Sequence, residues 1–225
     1  MSRRPAARKS IPSPKSKLEA PATPLEKRQL ERLIFFSDAV FAIAITLLVL
    51  DLRLPPGGNG VVDLTALSPK LFGFALSFAV IGAYWLHHHV LFSVLVREDM
   101  LLRVVNLVFL ASIVFLPFPT SIIAGFPATE SSVVFYALSV ALVGVLATGV
   151  SLAAQRPNLV ISREGREEAL VLVARAVVAP IVFGLSAVVA ISRPRLAMQL
   201  WWSIAPLNWV ASRLARFALS QTRRV

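Results

Sequence analysis

The stretch Arg32-Leu33-Ile34-Phe35-Phe36-Ser37-Asp38-Ala39-Val40-Phe41-Ala42-Ile43-Ala44-Ile45-Thr46-Leu47-Leu48-Val49-Leu50 decides the fold. The apolar run extends from about Leu33 to Leu54, the length of helix that crosses a bilayer, and stops at Pro55-Pro56-Gly57-Gly58. Helical geometry divides it into faces. Ile43, Thr46, Leu47 and Leu50 follow i, i+3, i+4, i+7 spacing and form one stripe. Asp38 falls on the stripe Asp38, Ala42, Ile45, Val49, turned by ~140° from Ile43. A carboxylate and an apolar ridge therefore point in different directions from one helix.

Five further apolar segments follow. They run from about Leu71 to Phe92, Met100 to Ile123, Ser131 to Ala154, Ala169 to Ile191, and Leu196 to Ala218. Pro117 and Pro119 are expected to break or kink the outer end of the third, and Pro206 and Asn208 make the sixth the least uniform. Apolar residues make up 56% of the 225 and charged residues 16%, which excludes a soluble globular domain. The net charge of +11 on so apolar a chain points to membrane topology rather than to nucleic acid. The absence of Cys removes disulfides, thiolate metal sites and Cys nucleophiles. The fold class is all-α integral membrane protein with six transmembrane helices.

Residues 1–28 are Pro-, Ser- and Lys/Arg-rich and read as a disordered basic tail, with no apolar core of a cleavable signal. Residues 29–219 form the six-span domain and 220–225 a second short tail. With six spans, 18 Lys and Arg fall on the side of both termini and 4 on the other. The positive-inside rule then places both termini in the cytoplasm of a multi-pass protein of the plasma membrane.

Ionisable groups inside spans are costly unless paired or wet. Asp38 reads either as a packing carboxylate bonded to a neighbouring span or as an ion or proton ligand. Arg32 is by position a snorkelling anchor, and Arg175, about two turns inside the fifth span, is read the same way. His87, His88 and His89 fan around the second helix and suit a metal poorly, so no metal site is expected; one of them is expected to be buried and bonded, the others at the boundary. Asn106 is a candidate for interhelical hydrogen bonding.

The R-x-x-x-F-S-D pattern of Arg32, Phe36, Ser37 and Asp38 at the start of the first span resembles the signature of the transmembrane protein 175 family of potassium channels, in particular its short prokaryotic members. Trp85 and His88 fit that family's W-x-x-H in the second helix, and Asp99, Asn106 and Leu116-Pro117 fit the third. The similarity covers about Arg32 to Thr120 and fades in the last three spans. It implies a first helix lining a central pore, with the narrowest position at Ile43, Leu47 and Leu50 further out, and Thr46 at a hydroxyl-bearing position tied to potassium preference. It also implies a structural polar cluster of Arg32, Phe36, Ser37, Asp38, Trp85, His88 and Asn106. No T-V-G-Y-G filter is present. One pore-lining helix per chain cannot enclose a channel, so a single-repeat chain is expected to assemble as a homotetramer. Passive conduction of K⁺, with K⁺ only as permeant ion and no cofactor, is the expected function.

Two other classes compete. A proton- or cation-coupled secondary transporter would use Asp38 and His88 as a relay, but the first span is uninterrupted and no internal repeat is visible. A membrane enzyme would need a constellation such as G-x-S-x-G or H-E-x-x-H, which is absent, so the chain is read as not an enzyme. Plain lipid-facing aliphatic surface is the bland alternative for Ile43, and the resemblance is what favours the pore.

Overall fold

The structure is a computed structural model and describes residues 22–52, 64–126, 128–157, 159–160 and 162–222. Helix α1, Pro24–Leu47, opens on a capping box in which Thr23 and Glu26 satisfy each other's backbone N–H groups, with Pro24 pre-set for the first turn. It tightens into a 3-10 turn at Leu48–Asp51. Helical structure thus begins at Pro24, inside the expected basic tail; residues 1–21 of that tail and the Pro55-Pro56-Gly57-Gly58 stop lie outside the described residues.

Helix α2, Leu64–Ser93, starts ahead of the expected Leu71 and continues through Pro69, which cannot donate to the Thr65 carbonyl. The third segment is α3, Met100–Phe115, followed by α4, Pro117–Gly125. The break at Leu116 is the one Pro117 anticipates, and the helical path resumes as the Thr120 N–H donates to the Leu116 carbonyl at 3.1 Å. Helix α5, Glu130–Ala153, is capped by Thr129. The fifth segment comprises α6, Arg163–Ala176, and α7, Val178–Ala190, separated at Val177 just before Pro180.

The sixth segment departs most from expectation. It comprises α8, Pro194–Leu200, a 3-10 turn at Trp201–Ser203, and α9, Ile204–Thr222. Pro206 cannot donate to the Trp202 carbonyl, and the chain changes helix type there. With Arg213 and Arg216 also on α9, five helical segments, not six, are long and apolar enough to cross a bilayer among the described residues. The all-α membrane class stands, and α9 returns the chain to the end from which α1 starts.

That end is marked by charge. Glu26 pairs with Arg97 at 3.6 Å, Asp99 with Arg156 at 2.6 Å, Glu98 with Arg103, and Glu168 with Arg216 at 3.1 Å. These pairs join the start of α1, the α2–α3 and α5–α6 connections and the second half of α9. Partly exposed pairs of this kind contribute about 0–1 kcal/mol each, so they mark the polar end rather than hold the bundle together.

Helix α5 is the most enclosed, burying Tyr136, Ala137, Val140 and Val143 among its neighbours. Helices in lipid associate through close packing and interhelical hydrogen bonds rather than through exclusion of water. Gly144 shows the close approach: a Cβ there would lie 2.6 Å from Pro180 Cδ on α7. Buried hydroxyls bridge helices nearby, Ser77 Oγ lying 2.5 Å from Thr120 Oγ1 and 3.1 Å from the Tyr136 hydroxyl. Helix α1, by contrast, packs on one side only, against α3 and α2.

Candidate functional site: the two faces of α1

The inward face of α1 carries Leu30, Leu33, Ser37, Phe41 and Ala44, all buried. Ser37 Oγ donates to the Leu33 carbonyl at 2.9 Å and accepts from Asn106 Nδ2 of α3 at 3.0 Å. Asn106 Oδ1 lies 3.0 Å from His88 Nε2 of α2. The chain Ser37–Asn106–His88 thereby ties three helices through three fully buried polar side chains. Aromatic rings enclose it: His88 stacks on Phe92 with centroids 4.0 Å apart, and Phe41 meets it edge-on at 5.6 Å. Since the amide supplies a donor to Ser37 and an acceptor to His88, the imidazole Nε2 is the protonated nitrogen when His88 is neutral.

Asp38 sits beside this chain and is not part of it. Its Oδ1 accepts from Trp85 Nε1 of α2 at 2.9 Å, and the carboxylate is half-buried. Asp38 and His88 thus have separate primary partners.

Arg32 and Phe36 do not join the cluster, contrary to the expectation drawn from the resemblance. They share one helical face by i, i+4 spacing, ~100° away from Leu33 and Ser37. Both are exposed and line an outward cleft with Gln29, Glu98, Arg103 and Leu107. Sequence reasoning also missed two partnerships in this neighbourhood, those of His87 with Ser151 and of Asp99 with Arg156. His87 Nε2 lies 2.9 Å from Ser151 Oγ of α5, so a second His of the triplet has an interhelical partner. Asp99 caps α3 by accepting from the Leu102 N–H at 2.9 Å while pairing with Arg156. A hydroxyl in an otherwise apolar span was the available signal for Ser151. His89 stays exposed, its ring over Trp85 at 5.5 Å, so the three imidazoles go to three different surroundings. Among the described residues no His, Asp or Glu side chains group in a way that would hold a metal ion.

The outward face carries Ala39, Ile43, Thr46, Leu47 and Leu50, all exposed in the subunit. Ile43 is 57% and Leu50 59% accessible, whereas Ala44, one position on, is wholly buried. Thr46 Oγ1 donates to the Ile43 carbonyl at 2.8 Å. With its proton committed to the backbone, the hydroxyl presents only acceptor lone pairs outward, the polarity a cation requires.

A membrane helix bundle with a buried polar anchor on one face of its first helix and an exposed apolar face on the other defines a multi-pass membrane protein whose first helix is only half covered by the described residues. Residues 32–117 match the profile of the family described as endosomal/lysosomal potassium channel TMEM175. The likeness to this family thus rests on the first three helical segments of the chain. It is similar to a potassium channel of Streptomyces collinus, 44% identical over 40% of this chain and 45% of the relative. A potassium channel of Chamaesiphon minutus is 39% identical over 48% of this chain and 53% of the relative. The match therefore spans about half the length of these curated relatives. The crystal structure of a lysosomal potassium-selective channel TMEM175 homolog from Chamaesiphon minutus superposes with a TM-score of 0.70 at 26% identity, over 82% of this chain and 98% of that one.

Proposed function

We propose that the chain is the subunit of a potassium-permeable cation channel, in which copies of α1 surround a central pore and conduct K⁺ passively down its gradient. The observation that carries this reading is the division of α1. Ser37 and Asp38 are satisfied inward, and among the described residues the exposed side chains from Ala39 to Leu50 are apolar apart from the one hydroxyl of Thr46. The names of the relatives supply the ion.

In this reading Ile43, Leu47 and Leu50 form the constriction and gate it by dewetting. A ring of Ile side chains too narrow for liquid water blocks ions, and a small tilt or rotation of α1 widens it. Thr46, three residues from Ile43, lends lone pairs to a partly dehydrated cation. A few hydroxyls and an apolar ring favour K⁺ over Na⁺ less strongly than a carbonyl-lined filter. Arg32, Phe36, Ser37, Asp38, Trp85, His88 and Asn106 are structural, the buried members fixing the rotation of α1 about its own axis. The assembly is a homotetramer in the plasma membrane with both termini cytoplasmic, the side on which the Lys and Arg excess falls. A proton-coupled transporter fits less well, because Asp38 and His88 lack a direct bond through which a relay would run.

The test is a planar-bilayer recording of the purified full chain under asymmetric K⁺ and Na⁺. A channel gives unitary currents that do not saturate as a carrier flux does, reversing nearer the K⁺ potential. Coupled, saturable flux without unitary currents contradicts the proposal.

A further inference from the structure

An apolar groove of about 640 Å³ lies between α2, the fifth segment and α9. Its walls include Phe72, Leu76, Phe183, Trp201 and Trp209, and no carboxylate lines it among the described residues. At one end stand Asn208, Ser212 and the guanidinium-bearing Arg175. Arg175 is exposed, and among the described residues it has no hydrogen bond or ion pair. It lies seven residues beyond Glu168, whose pair with Arg216 marks the charged end of the bundle, so its backbone sits about 10 Å deeper. An arginine at that depth needs an anion, and the described residues do not supply one. A second cation flanks the same end: Arg213 follows Ser212 and holds its guanidinium 5.2 Å from the Trp209 ring centroid.

From Ala83 at the cationic end to Phe72 the groove follows α2 for about 16 Å, a wall of uncharged side chains running toward the opposite surface. A cation at the mouth and an apolar slot leading away along the membrane normal match a molecule with an anionic head and a long hydrocarbon tail. Basic pockets between membrane helices on the cytoplasmic side take such headgroups. We propose that this groove binds an anionic phospholipid of the leaflet at the charged end of the bundle, its phosphodiester on Arg175 and one acyl chain along Leu76, Phe183 and Trp209. The exposed Trp202 and Trp209 rings cover the chain at the bilayer side. Lipid bound there braces α9 against α2 and α6, and helps hold the interrupted sixth segment in the membrane.

The groove carries its own reporters, since three of the four tryptophans of the chain, Trp201, Trp202 and Trp209, line it. The full chain is reconstituted with increasing fractions of dibrominated phosphatidylglycerol or dibrominated phosphatidylcholine, and tryptophan quenching is followed. Phosphatidylglycerol is expected to half-saturate quenching at a mole fraction roughly fivefold lower than phosphatidylcholine, the worth of one arginine beside a headgroup of net negative charge, since phosphatidylcholine offsets its own phosphate with choline. Arg175→Gln is expected to abolish that difference and Arg175→Lys to keep most of it. Ala79→Phe, which fills the groove and leaves Arg175 in place, is expected to reduce quenching by both lipids. Equal quenching by the two lipids in the unsubstituted chain overturns the proposal, as does a preference that survives Arg175→Gln. Quenching by neither lipid, with chain-to-chain disulfides formed by Trp202→Cys, shows a second copy in the groove and also overturns it. No ion current is read, so failure here is distinct from failure of the channel proposal.

Discussion

Trp85 Nε1 donates to Asp38 Oδ1 at 2.9 Å, tying α1 to α2 five residues before Ile43. The bond holds the carboxylate against α2, while Ile43 is exposed. Trp85→Phe keeps the ring and removes the donor, leaving a half-buried carboxylate without its partner. The expected loss is roughly 1.5–3 kcal/mol, read as a lower unfolding midpoint in detergent and a reduced oligomer fraction on size exclusion. A variant as stable and as assembled as the parent would show that the bond does not orient the helix.

Asn106→Leu is expected to cost about 1–3 kcal/mol, because the His88 Nε2–H loses its acceptor in a fully buried site. His88→Phe combined with Asn106→Leu should recover most of that loss. A phenyl ring suits the stack on Phe92 and leaves no orphaned donor. Thermal unfolding of the single and double variants decides the matter; a double variant as unstable as the sum of the singles speaks against a hydrogen-bonding role.

Thr46→Val preserves shape and deletes the outward lone pairs. The K⁺/Na⁺ permeability ratio is expected to fall with little change in unitary conductance, while Thr46→Ser retains the ratio. Reversal potentials under bi-ionic conditions measure this directly, and an unchanged ratio in Thr46→Val would remove the hydroxyl from selectivity.

Gly144→Ala drives a methyl group to within 2.6 Å of Pro180 Cδ, whereas a Cβ at Gly82 meets nothing within 4 Å. The first substitution is expected to destabilise by about 1–3 kcal/mol and the second to be close to neutral in packing. Equal unfolding midpoints for the two variants would show that the α5–α7 contact is not tight.

The residues that were legible in the sequence are those whose meaning is local. Pro117 announced the break at Leu116, the Lys and Arg excess marked the end where the ion pairs gather, and ~100° per residue separated Asp38 from Ile43. What depended on neighbours was hidden. Arg32 and Phe36 belong to the same short motif as Ser37 and Asp38, yet they are exposed and line a cleft with Glu98, Arg103 and Leu107. The His87–Ser151 bond joins residues 64 positions apart, with no pattern linking them. The sixth segment is less uniform than its average suggests, because a 3-10 turn at Trp201–Ser203 separates α8 from α9 and α9 carries Arg213 and Arg216 among its apolar residues.

The most direct test uses the absence of natural cysteine. Ile43→Cys places a single thiol at the expected constriction of every subunit. If four α1 helices meet there, mild oxidation yields disulfide-linked dimers on a non-reducing gel, and a small thiol-reactive cation applied to the bilayer blocks the K⁺ current. Monomer only, together with a current that the reagent leaves untouched, would contradict a pore lined by α1.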